Sequence, residues 1–294
     1  MGASAASRPV SNGGKPPVGP AGTDIATLDL IRSGVALAGP GPLSSWGGAR
    51  NRVDRESRSL SIGQAENIAA AAGHALRLGL PLNRHVTWHL EKSGVAPVDG
   101  AKAIGRFLKL HRQFLASRGQ PFACVWVRED DDGDRSKGAH VHILMHVPSA
   151  AAPAVTGRQR RWLRMVTGQP YRAGGLHTSR IGGTVRAADT LPPSYWVGFA
   201  KVLDYVLKGV EPGAARSLRR SPVALIRMLP LYRHSEGGRV IGKRCGWSEN
   251  IGAAARLVER ATDLCDLIAN TVTIRVHVHG LPTTESNRPK HHEY

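Results

Sequence analysis

Two histidines separated by one hydrophobic residue, His140 and His142 in the segment HVHILMHVP, are the sharpest chemical feature of this sequence. The segment predicts a β-strand, in which alternate side chains share a face, so both imidazoles lie on one face about 7 Å apart along the strand. Imidazoles at that separation can bind one divalent metal ion. The alternative is a chance pair, because the chain contains 13 histidines, and His146 is explained equally well as a packed residue.

A carboxylate precedes this strand and is the predicted third ligand. The segment PFACVWVRE predicts a strand that ends at Glu129, and the polar turn DDDGDRSKG joins it to the histidine strand. Two strands connected in this way pair as an antiparallel hairpin, which can place Glu129 opposite His140. Two imidazoles and one carboxylate suit Mg²⁺ or Mn²⁺, with positions left open for water or a phosphate oxygen. Four acids of the turn are rival ligands: Asp130, Asp131, Asp132 and Asp134.

A tyrosine and a lysine lie sixty-odd residues further on, in the segment DYVLKG. On the helix predicted there, Tyr205 and Lys208 are three residues apart and therefore neighbours on one face. A nearby cation favours the phenolate form of a tyrosine, and a tyrosine oxygen beside a metal-bound phosphate can attack it covalently. Taken alone, the pair is better explained as a tyrosine at the edge of the core with a solvated lysine. The preceding histidine hairpin and the basic chain favour the chemical interpretation.

Hydrophobic periodicity predicts the elements that position these residues. A two-residue period predicts a strand in RHVTWHLEK, upstream of the hairpin. Three- and four-residue spacing predicts helices in SIGQAENIAAAAGHALRLGL, AKAIGRFLKLHRQFLASRG and SYWVGFAKVLDYVLKGVEPG. A short basic helix is predicted in VTGRQRRWLRMVTG and a further strand within GLHTSRIGGTVRAAD. We expect the folded domain to span residues 61 to 215.

The chain is strongly basic, with 40 Lys and Arg against 22 Asp and Glu, a formal net charge of +18 and a pI of about 10.8. Such a field concentrates polyanions, so nucleic acid is the leading partner class and an anionic membrane surface the second. Two of the predicted helices carry basic residues that can follow a DNA backbone, with Trp162 available either to stack on a base or to join the core. These candidate DNA contacts are Arg106, Lys109, Arg112, Arg160, Arg161 and Arg164.

Cysteine content and the terminal segments limit the class of protein and its cellular location. Three cysteines without CxxC spacing, Cys124, Cys245 and Cys265, exclude a disulfide framework and a zinc ribbon. No apolar run approaches the ~20 residues of a membrane span, and the first residues lack the apolar core of a secretory signal, so we expect a cytoplasmic protein without membrane partners. Residues 1–60 read as a disordered basic arm, 216–280 as a C-terminal helical extension and 281–294 as a polar tail.

The order of these motifs resembles the HUH endonucleases, and in particular the single-tyrosine rolling-circle replication initiators. The resemblance covers roughly residues 82 to 210: a VTWHL strand, a strand ending in Glu, then His-hydrophobic-His and a helix with YxxK. It implies an α+β fold with a central antiparallel sheet and flanking helices, related to the RRM fold. One departure is that RHVTWHL lacks the usual aromatic-Thr-Leu character of the first motif, so no role is carried over to Thr87.

Carried over by motif, the resemblance implies that His140 and His142 hold the metal with Glu129, that Tyr205 is the nucleophile and that Lys208 assists it. It implies nicking of single-stranded or hairpin origin DNA, leaving a 5′-phosphotyrosine and a free 3′-hydroxyl. A host helicase and polymerase are candidate further partners. The chain contains no GxxxxGK[ST] loop, which excludes an attached P-loop helicase of that type.

Several alternatives stay open at the level of sequence. A second His-hydrophobic-His pair, His277 and His279, has no YxxK after it. Tyr195 lies about 280° from Tyr205 around a helix, so the two do not form a facing pair. The remaining tyrosines, which lie in a loop or beyond the resemblance, are Tyr171, Tyr232 and Tyr294. Other functional classes are a basic DNA- or RNA-binding protein without catalysis, a metal hydrolase that uses water, and a transposase or relaxase of the same superfamily.

Overall fold

The computed structural model describes residues 54–131, 138–182, 191–231 and 237–259. The strands are β1 (Glu56–Ser57), β2 (Arg84–His89), β3 (Cys124–Asp131), β4 (Gly138–Met145), β5 (Leu176–Arg180), β6 (Val240–Ile241) and β7 (Cys245–Trp247). The helices are α1 (Ile62–Arg77), α2 (Gly100–Ala116), α3 (Ala152–Thr167), α4 (Pro193–Val206), α5 (Ala214–Leu218) and α6 (Ala224–Arg227). None of the helices in the described ranges is both long and apolar enough to cross a bilayer.

Five strands form the central sheet in the order β5-β2-β4-β3-β7, and every neighbouring pair is antiparallel. The predicted α+β fold, with a central antiparallel sheet and flanking helices, is confirmed. The strand β4 is buried along its whole length because helices cover both faces of the sheet. Its side chains therefore alternate between two separate cores, and His140 and His142 both point to the same one.

One face of the sheet packs against α2 and α3, and we call it the first face. The strand β2 contributes Val86 and Trp88 to this face, and β4 contributes Val141 and Ile143. The indole of Trp88 lies 5.2 Å from the ring of Phe107 on α2, measured between centroids. These side chains are fully buried, and each contributes about 2 to 3 kcal/mol of hydrophobic stabilisation.

The opposite face packs against α1 and α4, and we call it the second face. The helix α1 begins with a capping box, in which the Ser61 hydroxyl accepts from the backbone N–H of Gln64 and the Gln64 side chain accepts from the backbone of Ser61. Small residues line its buried side, so the helix lies close to the sheet. They are Ala65, Ala69, Ala72 and Ala75. The helix α4 closes the same core with Phe199 and Leu203.

The sheet extends beyond the boundary predicted at residue 215. The strand β7, within the segment predicted as a helical extension, pairs with β3 at the sheet edge. Its three residues are too few to show an alternating pattern, which explains why the sequence did not reveal it. Gly246 is required there, because a Cβ at this position would lie 2.8 Å from the indole of Trp126.

The predicted disordered arm also contributes structure at its end. The strand β1 pairs with β6, and the side chain of Leu60 is fully buried. These contacts connect the end of the arm with residues almost two hundred positions away, so no local pattern could predict them. Residues 1–53 and the predicted tail lie outside the described residues.

A buried polar chain joins the sheet to the two helices of the first face. Thr178 on β5 donates to the side-chain oxygen of Gln159 on α3, at 2.7 Å. The Gln159 amide nitrogen lies 3.3 Å from Nε2 of His111 on α2, and His111 Nδ1 lies 2.9 Å from the carbonyl oxygen of Phe107. With Nδ1–H donating to that carbonyl and Nε2 accepting from the amide, every member is satisfied only when His111 is neutral.

We predict that this histidine makes the fold sensitive to acid. Burial lowers the pKa of His111 from 6.5 to about 4, so between these values the unfolded chain binds more protons than the folded one. Stability is therefore fully present above pH 6.5 and falls toward pH 4, by about 3 kcal/mol from this group. Urea unfolding from pH 7.5 to 4 should give a steeper loss in the wild type than in His111→Gln. Parallel pH profiles for the two proteins would contradict this.

Candidate active site

The hairpin register brings the three predicted metal ligands together on the second face. Glu129 pairs directly with His140, as predicted. The Nε2 atoms of His140 and His142 lie 3.3 and 3.6 Å from one carboxylate oxygen of Glu129. The ligand atoms of the three residues all lie within 4.8 Å of one another, and each side chain is at least 95% buried.

The hydrogen bonds of both imidazoles leave Nε2 directed toward Glu129. His140 Nδ1 lies 2.8 Å from the carbonyl oxygen of Gly138, and because a carbonyl only accepts, Nδ1 carries the proton. His142 Nδ1 lies 3.2 Å from both the Thr87 hydroxyl oxygen and Nε2 of His85. A metal-binding histidine typically donates its other ring N–H to such an outer partner, which fixes the ring and its tautomer.

Two buried polar atoms of this cluster lack a hydrogen-bond partner among the described residues. They are Oε1 of Glu129 and Nε2 of His142. Buried polar atoms are normally paired, and an unpaired one costs about 1 to 3 kcal/mol. Two imidazole lone pairs and a carboxylate that converge on one point are satisfied by a cation. The donor set therefore fits a divalent ion.

Electrostatics keep the cluster in the form that binds metal. Burial raises the pKa of Glu129, but its close polar contacts with His140 and His142 and the charge of Lys208 lower it by more, so the carboxyl is ionised. Burial lowers the pKa of His142, and burial together with neighbouring His142 lowers that of His85 to about 4. Neutral imidazoles and an ionised carboxylate are the protonation states that ligate.

Tyr205 lies beside this cluster, on the last turn of α4. Its ring centroid is 5.0 Å from that of His142 and 6.3 Å from that of His85. The side chain is half-buried, so solvent and substrate can reach it. The structure therefore brings Tyr205, the predicted nucleophile, next to the two histidine rings of this site.

Lys208 differs from its predicted position. The helix α4 ends at Val206, and Lys208 lies in the turn that follows it rather than on a helical face. Its ammonium group is ion-paired with Glu129 and lies 4.2 Å from the centroid of the Tyr205 ring. The lysine therefore connects the tyrosine with the carboxylate, a contact that the spacing YxxK did not predict.

The other described tyrosines are poorly suited as nucleophiles. Tyr195 is fully buried, its hydroxyl lies 3.4 Å from the carbonyl oxygen of Leu82, and burial raises its pKa. Tyr171 lies away from the cluster, with its hydroxyl 3.5 Å from the carbonyl oxygen of Leu176 and the guanidinium of Arg160 over its ring. Tyr232, Tyr294, His277 and His279 lie outside the described residues.

The rival acids of the turn are not members of the cluster in the described part of the chain. Asp130 follows Glu129 on β3, so its side chain points to the first face. The side chain of Asp131 and all of Asp132 and Asp134 lie outside the described residues.

The six predicted DNA contacts are not brought to this site. They are all exposed, but they belong to α2 and α3, which cover the first face, whereas the histidines and Glu129 lie on the second. Hydrophobic spacing shows which side of a helix is polar, not which face of the sheet the helix covers. Trp162 is a core residue, packed 4.5 Å from the ring of His111, and is not available to stack on a base.

Sequence reasoning missed the outer partners His85 and Thr87. Both lie on β2 with His89, and all three point to the second face. The signal was present in the alternation of RHVTWH, where Val86 and Trp88 account for the apolar face and the four remaining positions are polar. Such a strand, buried on both sides, indicates a polar site under the second helix layer.

In comparisons with protein-family models, curated proteins and solved structures, nothing matched this chain.

Proposed function

We propose that this protein is a metal-dependent DNA endonuclease and strand transferase, which nicks single-stranded origin DNA through Tyr205 and thereby initiates rolling-circle replication. One observation carries the proposal: a half-buried tyrosine lies next to a buried cluster of two histidines and a glutamate. The ligand atoms of this cluster lie close together, and two of its polar atoms have no hydrogen-bond partner among the described residues. The net charge of +18 supports a polyanionic substrate.

His140, His142 and Glu129 would hold Mg²⁺ or Mn²⁺. When bound, the ion supplies Lewis-acid polarisation of a phosphate oxygen. His85 and Thr87 orient His142, and the carbonyl of Gly138 orients His140. The carboxylate and the imidazoles are held by adjacent strands, a rigid support that keeps ligand positions fixed.

Tyr205 would perform the bond exchange. Its phenolic oxygen attacks the scissile phosphorus and loses its proton, while the bond from phosphorus to the 3′-oxygen breaks and that oxygen leaves as a hydroxyl. The products are a 5′-phosphotyrosine and a 3′-hydroxyl that a polymerase can extend. The ammonium group of Lys208, which is ion-paired with Glu129, lies 4.2 Å from the centroid of the Tyr205 ring, next to the site of attack. Since the covalent bond retains the phosphodiester energy, rejoining needs no ATP.

The proposal predicts a covalent protein-DNA adduct that depends on Tyr205. Purified protein incubated with labelled single-stranded DNA pools and Mn²⁺ should yield a slowly migrating species on denaturing gels, and Tyr205→Phe should yield none. Tyr171→Phe is the matched control, because it removes the same hydroxyl from a tyrosine outside the cluster, and its adduct yield should equal that of the wild type. Mass spectrometry of the adduct should place the phosphate on Tyr205.

Two other results would contradict the proposal, and each would indicate a different function. Nicking that Tyr205→Phe leaves unchanged, with no adduct, would indicate a hydrolase that uses water. Absence of nicking across diverse pools with both metals, while salt-dependent DNA binding persists, would indicate a binding protein without catalysis.

A further inference from the structure

We propose that a basic cleft beside the metal centre binds the nucleotides that flank the scissile phosphate of a single DNA strand. The cleft has a volume of about 730 Å³, within the ~300–1,000 Å³ of typical ligand sites. It lies between β1, the first two turns of α1 and β7. The inference rests on the proposed function for the chemistry at Tyr205, whereas the binding itself is argued from the cleft.

Three cations in its walls are available to a ligand. Arg55, Arg58 and Lys243 line the cleft with exposed side chains. Within the described residues no carboxylate or carbonyl accepts a hydrogen bond from any of the three, and Lys243 is held only loosely, 5.7 Å from the centroid of the Trp126 ring. Exposed cations along a groove are available to contact the phosphates of a DNA backbone.

The two acids in the walls already have partners, and the pKa of Glu56 is lowered mainly by the hydrogen bond from Arg239 and to a smaller extent by the charges of Arg239 and Arg58. Glu56 forms an ion pair with Arg239, which is not among the residues that line the cleft. Glu211 accepts from the backbone N–H of Ile62 at the start of α1, at 3.4 Å. This contact and the Ser61 cap also occupy the helix terminus, so the side-chain cations rather than the helix end would contact phosphates.

A fourth cation makes the cleft rigid. The buried guanidinium of Arg244 lies in the floor and donates to the backbone carbonyls of Ser57, Gly237 and Gly238, and to the Ser57 hydroxyl. These bonds hold β1 and the segment before β6 in a fixed relation. A preformed groove binds a flexible strand at lower entropic cost than one that must be ordered.

An aromatic side chain distinguishes the cleft from a simple basic patch. The half-buried indole of Trp247 forms part of its wall. Bases stack on aromatic rings, and an unpaired base offers its face where a duplex does not. Cations beside an indole therefore favour single-stranded over duplex DNA.

The cleft and the metal centre share a boundary. A Cβ on Gly209 would lie 3.2 Å from Cα of Gly237 and 3.7 Å from Oε1 of Glu129. On its other side Gly237 approaches the cleft, because a Cβ there would lie 2.6 Å from Nη1 of Arg244 and 3.3 Å from the carbonyl oxygen of Arg58. A strand with one phosphate at the metal centre thus has its neighbouring nucleotides within reach of the cleft.

The test measures binding separately from chemistry. Fluorescence anisotropy of a labelled single-stranded oligonucleotide, in EDTA and in the Tyr205→Phe background, gives affinity as a function of salt. The double variant Arg58→Gln/Lys243→Gln should bind about 20-fold more weakly at 0.1 M salt and reduce the slope of log K against log salt by about 1.4, since two phosphate contacts are lost. The matched control is Lys102→Gln/Arg118→Gln, which removes one exposed lysine and one exposed arginine from the first-face side, and should leave the slope nearly unchanged.

The outcomes separate this inference from the proposed function. Equal losses in the cleft and control variants, or a duplex of the same sequence competing as well as the single strand, would overturn the cleft as the binding site. With Tyr205 restored, the cleft variant should need about 20-fold more DNA than the wild type for half-maximal adduct formation, in proportion to its loss of affinity. If the wild type forms adduct but the cleft variant binds DNA with normal affinity, the cleft is not the binding site and the proposed nuclease function stands. If DNA binding depends on the cleft residues but no adduct forms, the proposed nuclease function is wrong and the cleft remains the binding site.

Discussion

Glu129→Gln is expected to lower the affinity for Mn²⁺ by at least about 100-fold and to abolish adduct formation. Loss of an outer partner of a metal ligand typically costs 10- to 100-fold in affinity, and Glu129 is the one carboxylate of the cluster in the described residues. Glutamine keeps the shape but has no charge. In the wild type, Mn²⁺ at 100 times its dissociation constant should raise the free energy of unfolding by about 2.7 kcal/mol. The variant should lose this increase, which calorimetric titration and thermal unfolding measure independently of activity.

A surface acid provides the matched control for this change. Glu249→Gln removes the same charge from a side chain that is 96% exposed, so Mn²⁺ binding and metal-dependent stabilisation should equal those of the wild type. Stoichiometric Mn²⁺ binding with unchanged affinity in Glu129→Gln would exclude this cluster as the metal centre.

The parts of this site that could be predicted from sequence are those set by local periodicity. The spacing of His140 and His142 fixes their common face in any strand, and the polar connection between adjacent strands indicates an antiparallel hairpin that can bring Glu129 opposite His140. The structure shows this register, with Glu129 opposite His140. The strand simply continues two residues further than predicted, to Asp131.

The parts that could not be predicted depend on packing between distant segments. Lys208 meets a carboxylate 79 positions away, and only the docking of α4 against the sheet creates this contact. The same holds for the basic residues of α2, such as Arg106 and Arg112, whose helical face is evident from the sequence but whose side of the sheet is not. The cleft could not be predicted either, because its walls include β1 and β7, two strands too short to show an alternating hydrophobic pattern.

Arg244→Ala is expected to destabilise the fold by about 3 to 5 kcal/mol. Its guanidinium is almost fully buried, and burial lowers its pKa to about 10, so it is charged at neutral pH. The described residues near it include no carboxylate that is hydrogen-bonded to it; backbone carbonyls and one hydroxyl accept its protons. Removing the arginine leaves several of these buried acceptors unpaired at once, which is among the costliest classes of single substitution. Urea unfolding at pH 7.5 measures the difference.

Two further variants show whether the geometry or the charge of Arg244 matters. Arg244→Lys keeps the charge but cannot reproduce the planar fork that reaches Ser57 and Gly237 together, so its stability should lie between those of the wild type and Arg244→Ala. Arg239→Ala, which removes an exposed arginine paired with Glu56, should change stability little. If Arg244→Ala behaved like Arg239→Ala, the buried hydrogen bonds would not hold β1 against the sheet. Since Gly237 touches both Arg244 and the turn beside Glu129, the expected loss of stability should be accompanied by weaker Mn²⁺ binding, which connects the folding of the cleft to the metal centre.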